Sequence, residues 1–123
     1  MIDVGALEDF AEGVSRVVKV EDRELGIILW DGQPYALRNV CPHMLGPLGE
    51  GVVAPRLCAS SPLDRFGADR DAPVLVCPWH GWSFDIRSGE GVFQEKRGSA
   101  RTFRYRVRRY DARIEDGRVL VDL

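Results

Sequence analysis

Both histidines of this 123-residue chain lie beside cysteines, in the stretches Cys41-Pro42-His43 and Cys77-Pro78-Trp79-His80. Each pair follows a strand-like segment and precedes a loop containing glycine. Two loops at strand ends can converge on one point, where they would supply two thiolates and two imidazoles. Coincidence would have to place both histidines within three residues of a cysteine, which argues against an idle pairing. A Cys₂His₂ set suits tetrahedral zinc. The same four donors also hold a [2Fe–2S] centre in which two histidines replace two cysteines on one iron. Zinc-finger histidines come as a spaced pair on a helix; here each histidine is paired with a cysteine instead.

The elements that must position these pairs read as strands. Residues 2–12 look like a short lead-in, with one helical turn in ALEDFAEG. VSRVVKV is rich in β-branched residues. LGIILW is a continuous apolar run of strand length, and Asp31-Gly32 after it is a hairpin signal. PYALRNV then leads into Cys41, so residues 14–40 read as a three-stranded meander that delivers the first cysteine at a strand end. Residues 44–51 read as a loop. Residues 55–73 are polar, lack periodicity and read as a long loop insertion, of a length that is often functional. A short strand at 74–76 feeds Cys77, and WSFDI returns as another. A turn is expected at 87–91. Residues 102–110 alternate, with Phe103, Tyr105 and Val107 on one face and Arg104, Arg106 and Arg108 on the other, the pattern of one half-buried strand. Ala112–Ile114 and Arg118–Val121 flank a second hairpin signal, Asp116-Gly117. The expectation is an antiparallel all-β chain with little helix, forming a single domain over residues 1–123.

Composition narrows the chemistry. The net charge is −2, so no concentrated basic surface for nucleic acid is implied. No apolar run is long enough to span a bilayer. The N-terminus, MIDVGALEDF, lacks the pattern of a secretory signal, so a cytoplasmic location is expected. The cysteines Cys41, Cys58 and Cys77 are odd in number, which argues against a disulfide framework. No dinucleotide or flavin fingerprint is present, so electrons would have to come from a separate protein.

The residues CPH and CPWHGW resemble the Rieske motif, Cys-x-His … Cys-x-x-His. The likeness extends through ALRNVCPHMLGPLGEG, CPWHGWSFDIRSGEGV and ARIEDGRVLVDL to small Rieske-type ferredoxins and the Rieske domains of ring-hydroxylating oxygenases. It implies an antiparallel iron–sulfur-protein-like fold with a small cluster-binding subdomain of two loops. It implies one [2Fe–2S] cluster, with Cys41 and Cys77 on one iron and His43 and His80 on the redox-active iron nearer the surface. The histidine N–H groups would make the potential depend on pH at the alkaline end. The implied role is that of an electron carrier, not a catalyst, between a flavin- or NAD(P)H-dependent reductase and a terminal oxygenase or other redox enzyme. A second reading is the small subunit of a larger enzyme such as a nitrite reductase; a third, of another class, is a zinc-stabilised binding module. The chain lacks a further histidine set for a mononuclear iron, so it is not a complete oxygenase.

The resemblance also bears on potential. Rieske centres span roughly −150 to +300 mV. The high-potential type adds two bridging cysteines, where this chain has Gly46 and Trp79. It also adds a serine and a tyrosine that donate to sulfur, where this chain has Trp82 and Phe84. A potential at the low end is expected. Trp79, Trp82, Met44, Leu45 and Leu48 are candidates for an apolar collar around the cluster, Leu48 as a plain packing residue. Cys58 reads as a spare thiol. The run Lys96, Arg97, Arg101, Arg104, Arg106, Arg108 and Arg109 reads as a solvated strand face rather than a docking face. Residues 55–73 are either a recognition loop or a tolerated insertion, so deleting residues 56–72 is expected to leave the cluster intact. Rieske proteins often carry a proline-containing third loop over the cluster; this chain has no proline after Pro78.

Overall fold

Turn-forming pairs alternate with β-branched and aromatic runs along the chain, and the computed structural model resolves these runs into antiparallel strands. It describes residues 1–41, 45–57, 68–78, 82–94 and 100–123. The strands are β1 (Ile2–Ala6), β2 (Ser15–Val20), β3 (Arg23–Trp30), β4 (Gln33–Arg38), β5 (Val52–Leu57), β6 (Ala68–Val76), β7 (Ser83–Asp85), β8 (Glu90–Gln94), β9 (Ala100–Arg106), β10 (Arg109–Glu115) and β11 (Arg118–Asp122). Helix among the described residues is limited to two 3₁₀ turns, Leu7–Asp9 and Leu48–Glu50. A six-stranded base sheet has the order β1-β11-β10-β4-β3-β2, and a five-stranded sheet runs β5-β6-β7-β8-β9.

The two hairpins expected from Asp-Gly pairs are present. Asp31 and Gly32 have φ of 52° and 74°, and Asp116 and Gly117 have 52° and 73°. Two successive left-handed residues match the twist of the flanking strands, which is why Asp-Gly is favoured there. Glu12 secures the first turn: its carboxylate accepts the N–H groups of Asp31 at 2.8 Å and Gly32 at 3.0 Å.

β3 explains its own unbroken apolar sequence. Leu25, Ile27 and Leu29 pack with Ala36, Tyr110, Val119 and Val121 in one core. Ile28 and Trp30 point the other way, into a second core with Leu37, Leu75, Phe84 and both Cys41 and Cys77. A strand buried on both faces needs no polar alternation. The β3–β4 pair is therefore a wall shared by two cores, one of which contains the cysteines.

Several expectations are corrected. Residues 2–6 are not a lead-in but β1, paired with β11 from Ile2↔Val121 to Ala6↔Arg118; the partner lies at the far end of the chain, so no local signal announces it. The helical turn expected in ALEDFAEG is present, as the 3₁₀ turn Leu7–Asp9. Residues 55–73 are not all loop. The β5–β6 ladder pairs Pro55↔Pro73, Arg56↔Asp69 and Leu57↔Ala68, with a bulge between Pro55 and Arg56. β5 is an edge strand, where proline and irregular pairing are tolerated, so alternation is a poor guide. Deleting residues 56–72 would remove ladder as well as connection. Residues 58–67, with Cys58, lie outside the described residues.

The single strand expected over residues 102–110 is two strands, β9 and β10, in different sheets. The switch falls at Val107-Arg108: Val107 N–H donates to Gly89 O, and Arg38 N–H donates to Arg108 O, each at 2.8 Å. Side-chain alternation carries across such a switch, because it reports faces and not partners. The turn expected at 87–91 is shorter, since β8 already begins at Glu90.

Candidate metal centre

Cys41 follows the end of β4, and Cys77 follows the end of β6. Each opens a loop closed by backbone hydrogen bonds. Cys41 N–H donates to Gly46 O and Leu45 N–H donates back to Cys41 O, both at 2.8 Å. Cys77 N–H donates to Trp82 O at 2.7 Å, at the mouth of the β6–β7 connection. The histidines belong to these two loops by sequence. His43 and His80, with Met44 and Trp79, lie outside the described residues.

The path between the cysteines brings the loops together. After Gly46 the chain enters the 3₁₀ turn Leu48–Glu50, which touches β2, β3, β4 and β6. It then becomes β5, which pairs Val52 with Val76, the residue before Cys77. At Gly51 a side chain would collide with the Val76 carbonyl oxygen, so only glycine allows this approach. The turn also sits tightly on the base sheet, where a Cβ on Gly49 would lie 3.2 Å from the Gly26 Cα.

Asn39, two residues before Cys41, ties this joint and was not among the residues singled out from sequence. Its N–H donates to Glu24 O at 2.9 Å. Its side-chain Nδ2 donates to Glu24 Oε2 at 3.0 Å, and its Oδ1 accepts the Gly49 N–H at 2.6 Å. One buried amide thus joins β3, the approach to Cys41 and the return limb of the Cys41 loop. The available signal was an asparagine two residues before the cysteine of a metal-ligand motif.

Both cysteines are 2% exposed, are not disulfide-bonded and share one apolar core. Phe84 and Leu48 in that core have no exposed surface, and half-buried Trp82 packs against it. Leu48 is the packing residue expected. Leu45 is not part of any collar: it is 74% exposed and has φ 61°. A leucine in the left-handed region costs about 1–2 kcal/mol. Val107, 4% exposed, contributes to the same core from the β9–β10 switch. Beyond β7, buried Asp85 holds the next turn, its Oδ1 accepting the Arg87 N–H at 2.8 Å.

Of the basic run, Arg106, Arg108 and Arg109 have partners within the chain. Arg106 pairs with Glu90 at 2.8 Å, Arg109 with Asp111 at 3.3 Å, and Arg108 lies 5.4 Å from the Tyr110 ring centre. This fits a solvated strand face. Lys96 and Arg97 lie outside the described residues.

Residues 1–105 match the family model of the Rieske [2Fe-2S] domain. The chain belongs to this family. Among curated relatives of this Rieske protein is the ferredoxin component of an alkene monooxygenase system from Xanthobacter autotrophicus, 24% identical over 98% of this chain and 79% of that protein. Another is the ferredoxin component of a naphthalene 1,2-dioxygenase system from Pseudomonas putida, 27% identical over 99% of this chain and 94% of that protein. The ferredoxin of carbazole 1,9a-dioxygenase from Nocardioides aromaticivorans IC177 has the same fold, with a TM-score of 0.68, 23% identity and coverage of 98% of this chain and 94% of that one.

The residues present fit the group this family holds. Two buried thiols in one dry core suit the sulfur-ligated side of a [2Fe–2S] cluster, which requires deprotonated cysteines shielded from water. The cofactor is therefore the Rieske cluster, and the zinc reading falls away. The Rieske chain is an electron carrier and not a catalytic subunit.

Proposed function

We propose that Cys41, His43, Cys77 and His80 ligate one [2Fe–2S] cluster. We further propose that the chain passes electrons, in the cytoplasm, from a flavin- or NAD(P)H-dependent reductase to a terminal oxygenase. The observation that carries the reading is the convergence of Cys41 and Cys77 in one core, each opening a closed loop to which a histidine belongs by sequence. Relatives named as ferredoxin components of oxygenase systems support the choice of acceptor. Because β11 pairs with β1, residues 106–123 read as part of the same domain as the matched region.

The cluster, when bound, accepts and donates one electron. The residues around it exclude water and set its potential. Phe84 supplies no hydroxyl within the cysteine core, and Trp82 offers only an indole N–H beside its carbonyl. Hydrogen bonds to sulfur raise the potential, so a low-potential centre suited to feeding an oxygenase is expected.

EPR of the anaerobically purified, chemically reduced protein tests this directly. A rhombic signal of a mixed histidine–cysteine centre, with a midpoint below about +100 mV, is the expected result. Colourless, EPR-silent protein would remove the ligand assignment, and a midpoint above that value would remove the low-potential role.

A further inference from the structure

Among the described residues, Asp85 is the one aspartate, glutamate, lysine or arginine that is buried. It ends β7 between Phe84 and Ile86, both of which pack in the core that holds Cys41 and Cys77. Its Oδ1 accepts the Arg87 N–H at 2.8 Å and so starts the β7–β8 turn. An asparagine oxygen would serve that bond as well. The turn therefore explains an acceptor at this position but not a charge.

The register places the charge close to a cluster ligand. Asp85 pairs with Val74, three residues before Cys77. At about 3.4 Å per residue along the strand and about 5 Å across to its neighbour, the Asp85 and Cys77 α-carbons lie roughly 11 Å apart. Arg87 Nε stands 3.7 Å from the Asp85 Oδ1, and its side chain is 45% exposed against 11% for that of Asp85. Water screens the cation more than the anion, so the pair leaves a net negative field on its buried side.

Resting on the cluster assignment proposed above, we infer that the Asp85 carboxylate tunes the cluster by holding its reduction potential down. Reduction adds one electron, and so one negative charge, to the cluster. A fixed negative charge at this range opposes that step. Asp85 thus acts in the same direction as the absence of a hydroxyl on Phe84, by its field rather than by hydrogen bonding.

Redox titration of the holoprotein, followed by EPR, compares wild type with Asp85→Asn and Arg87→Gln. Asp85→Asn keeps the acceptor and removes the charge. It is expected to favour the reduced cluster roughly fivefold, an upward shift in midpoint of about 40 mV for one electron. Arg87→Gln takes this cation from the carboxylate and is expected to lower the midpoint, by less. EPR g-values should stay at those of wild type in both. The Asp85→Asn shift should persist in about 1 M salt, where the Debye length is about 3 Å, because the carboxylate is buried. An unchanged midpoint in Asp85→Asn would overturn the tuning role, and so would a shift abolished by salt. A rise in both variants, or a rise with altered g-values, would also overturn it, since either would place the effect in the packing of the turn. A wild type with no cluster signal would remove the cluster assignment itself, and the tuning role with it.

Discussion

Phe84 lies in the core shared by Cys41 and Cys77, with no exposed surface. A hydroxyl added there would enter the surroundings of the ligand sulfurs. Phe84→Tyr is therefore expected to raise the midpoint potential, measured by redox titration of the purified holoprotein. If the new O–H reached no acceptor, it would instead lower stability by about 1–3 kcal/mol with the potential unchanged. That outcome would show that position 84 does not tune the cluster. Cys41 and Cys77 were picked out by their spacing from His43 and His80, and the structure buries the two cysteines together. Exposure was less readable. Leu45 has the side chain of a collar residue, but its backbone conformation and the closure of the Cys41 loop leave it in solvent.

Among the elements, the joint between the base sheet and the Cys41 loop rests on Asn39. Replacing it with alanine leaves the buried Gly49 N–H without its acceptor and Glu24 without its amide donor. An uncompensated buried donor costs about 1–3 kcal/mol. Asn39→Ala is expected to lose that much in urea denaturation and to release iron to a chelator faster than wild type. Unchanged stability and iron retention would mean that the loop is held by packing alone. Strand existence was legible wherever the turns were local, as at Asp31-Gly32 and Asp116-Gly117. It was not legible for β1 or for the outer β5–β6 ladder, whose pairing partners are set by non-local contact or by edge position.

At the scale of the molecule, the first and last strands are tied by Asp3 and Arg118. The Arg118 Nε and Nη2 donate to the two carboxylate oxygens at 2.9 and 3.0 Å. The hydrogen bond from Arg118 holds the Asp3 carboxyl below the usual carboxylate range, against a smaller opposing effect of desolvation and with help from the Gly5 N–H. A carboxyl with a depressed pKa in the folded state adds stability that is present above its unfolded value. That stability is lost as pH falls through the folded value. Asp3→Asn is therefore expected to be less stable than wild type at neutral pH, by a small and salt-sensitive margin because the pair is exposed. The margin should close as pH falls below about 4. Melting temperatures of both proteins from pH 7 to pH 2.5 check this; a margin that stays constant into acid would mean the pair is not what joins the strands.

The sequence by itself determined the spacing of each Cys/His pair, the local hairpins and the all-β class. These depend on neighbours within a few residues, and such local constraints leave their mark in residue choice. Tertiary structure alone decided that β3 is buried on both faces, that residues 102–110 divide between two sheets, and that Gly51 admits the Val76 carbonyl. It also placed both cysteines in one core and left Leu45 outside it. Those outcomes depend on which distant strand arrives alongside, and that is settled by burial and hydrogen-bond pairing across the whole chain rather than by any single stretch of it.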